Sequence, residues 1–233
     1  MNYSILDASD DFADLSNSLG LFKIELCHEK NLDFRSQDFR LVFLDTIQQY
    51  LLSLTSYIRA FMGLQQFVSP DEFLKILNVG INTVEEFEKS RIIYKFPIES
   101  LVTMIHFQID SFFGEVCRLK ENPQTGFYKR MKMVLDEISI DNERKEQYKN
   151  TFQCLAFFRN SFHNKGFHSI FKGTWSEGVE PRRGEIDRKF VAEESTIVFK
   201  HNELITYTWR SAFLLIQESV ESIKFLMKVL DFQ

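Results

Sequence analysis

The sequence predicts an all-α protein, a helical bundle with a small irregular or β-hairpin insertion before its last helix. Three observations carry this. Apolar residues recur in long seams at alternating steps of three and four. Nine glycines and four prolines in 233 residues leave few helix breakers, and 25 phenylalanines supply bulky side chains for packing between helices.

Residues 1–35 form a mixed lead-in where Ile5, Leu6, Phe12, Leu15, Leu19 and Phe22 suit one short helix, with Gly20 as its end. Over 36–66 the pattern sharpens: Leu44, Ile47, Leu51, Leu54, Ile58 and Phe61 predict a long amphipathic helix. Ser69-Pro70-Asp71-Glu72 then combines an N-cap residue, a first-turn proline and two acids, predicting a helix over 70–89. The seam Ile98, Leu101, Ile105, Ile109, Phe112, Val116, Leu119 predicts another over 96–119, stopped by Asn122-Pro123. Met131, Val134, Leu135 and Ile138 mark a shorter helix over 127–138, and Asp141-Asn142-Glu143 offers a start for the next.

After Gly166 the character changes. Residues 171–189 hold Gly173, Gly178, Pro181 and Gly184, a loop of the length that often serves function. The β-prone runs 189–192 and 196–199 flank Glu193-Glu194-Ser195 as a hairpin would. A helical seam returns over 206–230 through Phe213, Ile216, Val220, Ile223, Met227 and Leu230. The whole chain, 1–233, therefore reads as a single helical domain with an insertion at about 171–204.

Composition narrows the function. A net charge of −5 argues against coating nucleic acid by bulk electrostatics. Yet residues 159–189 hold seven basic side chains against four acidic ones, a local setting for a small anionic target. Cys27, Cys117 and Cys154 have no CxxC spacing, so neither a disulfide framework nor a zinc site is expected, and a reducing, cytoplasmic setting fits. The acidic N-terminal stretch lacks the features of a signal peptide, and no apolar run is long enough to span a membrane.

The stretch that demands an explanation is 151–170, TFQCLAFFRNSFHNKGFHSI. If 148–165 is one helix, Tyr148, Phe152, Leu155 and His163 fall within about 40° of Arg159, so the cation and imidazole continue the core-facing stripe. An arginine aligned with a buried stripe keeps its charge and needs an anion or a wet cleft. His163, one turn on, adds a group that titrates near neutrality, so the pair can bind a phosphate and move a proton beside it. The structural alternative is a buried Arg159 paired with an acid, with His163 closing the helix end at Gly166. His106 and Asp110, four apart on the 96–119 helix, read either as a polar edge beside the seam or as support for Arg159 if that helix packs beside it. His163 and His168, five apart, are a poor metal pair, and no metal or cofactor is expected.

At Arg159-Asn160 and His163-Asn164 the chain resembles the HEPN superfamily of all-helical proteins, many of them metal-independent RNases with an Arg, often followed by Asn, and a downstream His on one helix. Three residues separate Arg159 from His163 here. The resemblance implies an endoribonuclease of toxin or abortive-infection type acting on RNA at a groove between two chains. It implies catalytic roles for Arg159, His163 and Asn160, and RNA contacts from Asn164 and Lys165. The Arg182-Arg183 pair reads as an RNA-contacting flap or as a solvated loop. A homodimer and an antitoxin partner are expected on the same ground. The alternative is a non-catalytic interaction or nucleotide-binding module in which Arg159 and His163 support structure or bind an anion.

Overall fold

The structure, a computed structural model, describes residues 4–67, 96–163, 167–168, 188–193, 195–200 and 203–230. Among these residues six helices form: α1 Ile5–Lys30, α2 Phe39–Phe67, α3 Phe96–Leu119, α4 Phe127–Glu137, α5 Asn142–His163 and α6 Trp209–Val229. Four short strands join them: β1 Phe167–His168, β2 Arg188–Ala192, β3 Ser195–Phe199 and β4 Glu203–Leu204. The chain is mostly helical, as its seams predict. The expected helix over 70–89 lies outside the described residues.

Capping explains where the first and last helices begin. Ser4 accepts from the Asp7 amide while the Asp7 carboxylate accepts from the Ser4 amide, and Thr208 and Ser211 reciprocate likewise at α6. The expectation of a short first helix ending at Gly20 is corrected: α1 runs on to Lys30 and closes at Asn31, in the left-handed conformation at φ 51°. Gly20 serves a close approach instead. A Cβ there would lie 3.1 Å from Gln48 Nε2, whose amide donates to the Ser16 carbonyl at 3.2 Å.

Polar pairs fix the direction of packing. Arg59 meets Asp10 at 2.9 Å and Lys23 meets Asp45 at 2.7 Å, so α1 and α2 run antiparallel. Arg210 with Asp11 and Lys228 with Glu25 set α6 parallel to α1. α2 packs on α3, α3 on α5 and α5 on α6, while α4 lies against α3 and α5. One contiguous apolar core runs through the bundle, and rings of Phe39, Phe43, Phe112, Phe113, Phe127 and Phe152 cross it in a chain of contacts.

The hairpin is also present. β2 and β3 pair antiparallel from Arg188↔Phe199 to Ala192↔Ser195, turning Phe190, Ile197 and Phe199 into the core and leaving Val191 and Val198 exposed. A second ladder, Phe167↔Leu204 and His168↔Glu203, joins the two ends of the insertion.

Phe113 and Phe152 are fully buried and meet edge to face at 5.1 Å. Phe152→Ala is expected to cost about 3–5 kcal/mol in urea denaturation. On the exposed face of the hairpin, Val198→Ala should stay within about 0.5 kcal/mol.

Candidate functional site

α5 is surrounded on several sides, by α3, α4, α6 and the strands, and its residues Thr151 to Leu155 are all buried. Phe152 meets Phe113 of α3, and Tyr148 meets Phe225 of α6 at 5.6 Å. Near its C-terminal end, Phe158 packs against Tyr207 at 4.6 Å, Phe162 at 5.0 Å and Phe199 at 6.3 Å. These contacts fix the rotation of the helix. Arg159 therefore emerges half-buried at the border of the apolar stripe, against α3.

Its guanidinium lies over the Phe107 ring, 5.1 Å from the centroid, and Nη1 donates to Asn160 Oδ1 at 2.8 Å. Nε is covered and has no hydrogen-bond partner. Among the described residues no carboxylate pairs with Arg159, so a π face and a neutral carboxamide are what meet its charge.

α3 brings His106 to the same place. Only 6% exposed, its ring sits 4.5 Å from Phe127 and 6.0 Å from Phe107, and its Nδ1 is buried without a partner. Burial, and then the charge of Arg159, push its pKa down to about 4 against the opposing pull of Asp110. His106 is therefore neutral near pH 7. Asp110 is committed elsewhere: it accepts from Arg130 Nη1 at 2.9 Å, while Arg130 Nε donates to the Gln124 carbonyl at 3.0 Å. The local charges of Asp110 and Arg130 cancel, leaving that of Arg159.

The structure thus brings Arg159 and Asn160 together and adds His106. His163 is the last residue of α5, one turn beyond Arg159, and its side chain lies outside the described residues. So do Asn164, Lys165, Arg182 and Arg183. Sequence reasoning passed over Phe107, which is 46% exposed and roofs the guanidinium. An aromatic residue on the flank of the Ile105–Ile109 seam was the available signal. A cleft of about 450 Å³ opens elsewhere, between α1, α5 and α6, but most of its charges are paired, Lys224 with Glu221 one turn away on α6 and Lys228 with Glu25 of α1. No group of three or more metal-ligating side chains occurs among the described residues. None of their helices is long and apolar enough to cross a membrane.

Compared with protein-family models, curated proteins and solved structures, the chain matches none.

The buried imidazole ties stability to pH. Its pKa is about 4 in the folded chain against 6.5 unperturbed, so between these values the unfolded chain holds more protons. The His106 contribution leaves stability unchanged above about pH 7 and lowers it as pH falls from 6.5 toward 4, by about 3 kcal/mol when complete. Denaturation of wild type and His106→Phe from pH 7.5 to 4 should show the substituted chain losing less stability over that window. Parallel curves would contradict the assignment.

Proposed function

We propose that the chain is an HEPN-like endoribonuclease that cleaves RNA by attack of a ribose 2′-hydroxyl on the adjacent phosphate, without a metal ion. The observation that carries this reading is the Arg159 guanidinium: half-buried, permanently charged, and with no carboxylate partner among the described residues. An arginine kept for structure normally meets an acid, because an uncompensated buried charge is costly. One left to a ring face and an amide is suited to an incoming anion.

The chemistry divides among neighbours. A base removes the 2′-hydroxyl proton, the oxygen forms a bond to phosphorus, and the bond to the 5′-oxygen breaks as that oxygen takes up a proton. The products are a 2′,3′-cyclic phosphate and a 5′-hydroxyl. His163, whose backbone continues α5 about 6 Å along the axis from Arg159, is assigned the proton transfers. Arg159 stabilises charge on the phosphorane-like transition state. Asn160 orients the guanidinium through its 2.8 Å hydrogen bond. The exposed Phe107 ring beside the cation suits an unpaired base, favouring single-stranded RNA.

The HEPN resemblance extends the proposal. Two chains would associate with both α5 ends facing one groove, where Asn164 and Lys165 hold the RNA backbone and the Arg182-Arg183 loop closes over it. The setting would be a toxin or abortive-infection system in the cytoplasm, silenced by an antitoxin.

The test is cleavage of single-stranded RNA in EDTA, reading the cyclic phosphate end. Arg159→Ala and His163→Ala are each expected to reduce kcat about a hundredfold or more at unchanged melting temperature. If wild type cleaves no RNA but binds it through Arg159, the chain is instead a nucleotide-binding module of the same fold. Equal cleavage by wild type and His163→Ala would remove the catalytic assignment.

A further inference from the structure

Two buried nitrogens without partners meet at one place in this fold. Most buried polar atoms are hydrogen-bonded, because an unsatisfied one forfeits its interaction with water and gains nothing in return. Arg159 Nε on α5 and His106 Nδ1 on α3 are both covered and both unpaired. Phe107 links them, under the guanidinium at 5.1 Å and beside the imidazole at 6.0 Å.

We propose that His106 is a second binding arm of this site, its imidazole hydrogen-bonding the phosphodiester group that Arg159 holds. The inference rests on the reading of Arg159 as an anion site. Uncharged at neutral pH, the imidazole presents one donor and one acceptor and does not repel the guanidinium beside it. A second arginine or lysine here would supply charge but would face that repulsion in a poorly solvated place. A neutral ring supplies direction instead. The anion enters as Phe107, half exposed, swings off the guanidinium while Asn160 keeps its hold on Nη1, and the displaced ring is then free to stack on a base.

The surroundings hold His106 in this role. Among the described residues the charged groups near it are Asp110 on its own helix, Arg130 on α4 and Arg159 on α5, and the first two are paired with each other. Phe127 of α4 packs on the ring at 4.5 Å and keeps it out of bulk water. His106 therefore does not move the reaction's protons, which distinguishes it from the role assigned to His163.

The experiment uses the full chain and a 2′-deoxy dinucleotide, whose diester cannot be cleaved by 2′-hydroxyl attack and keeps one charge across the pH range. Its affinity is measured by calorimetry for wild type, His106→Phe, His106→Asn and His163→Ala, and 15N resonances of the histidines are followed on saturation. Expected are a tenfold or greater loss of affinity in His106→Phe with no fall in melting temperature, and substantial recovery in His106→Asn, whose amide lies near the position of Nδ1. The His106 Nδ1 resonance should shift, and wild-type affinity should stay flat from pH 8 to 5.5. Unchanged affinity in His106→Phe with an unmoved resonance overturns the proposal. Diester binding that depends on His106 in a chain that cleaves no RNA sinks the nuclease reading and leaves this one standing. RNA cleavage with diester binding indifferent to His106 does the reverse.

Discussion

The edge-to-face contact of Phe113 with Phe152 sets the register on which the site depends. These rings lock α3 antiparallel against α5 at the centre of the bundle. Six residues back along α3 lies Phe107, and seven residues forward along α5 lies Arg159, nearly equal distances at 1.5 Å per residue. Because the helices run in opposite directions, those two steps end at the same level. A slip of one turn in this packing would carry Phe107 and His106 past the guanidinium. The buried rings at the centre therefore position polar groups about 10 Å away.

The second determinant is the hairpin. Phe199 of β3 and Tyr207, just after β4, pack on Phe158, and the Tyr207 hydroxyl reaches Glu99 of α3, so α5 is held against rolling about its own axis. The β1–β4 ladder draws residues 167–168 and 203–204 together shortly beyond His163.

How much of this could be read from residues alone varied with the range of the interaction. α3 and α5 follow from seams and breakers, which are local, and the β-hairpin follows from two β-prone runs around a turn. Gly20 misled because helix-ending is the usual local meaning of glycine, whereas its role is set by Gln48 on another helix. The half-buried place of Arg159 was visible in its alignment with Phe152 and Leu155. Its neighbours were not, since which residue of α3 faces it depends on interhelical register. His106 and Asp110 are legible as a pair from their spacing. The fold separates their tasks, giving the acid to Arg130 and leaving the imidazole beside Arg159.

That separation argues most directly against a purely structural arginine. Asp110 stands one turn from His106 and close enough to pull on its pKa, so an acid was at hand to neutralise Arg159. The chain instead binds that acid to Arg130, whose guanidinium is further held by the Gln124 carbonyl. Pairing Asp110 with Arg130 leaves the guanidinium without a carboxylate among the described residues and offsets the pull of that carboxylate on His106. The outcome is one permanent positive charge and one neutral ring at the end of a rigid helix. An electrostatic environment of that kind favours an anion carrying its own hydrogen-bonding oxygens over a second protein carboxylate.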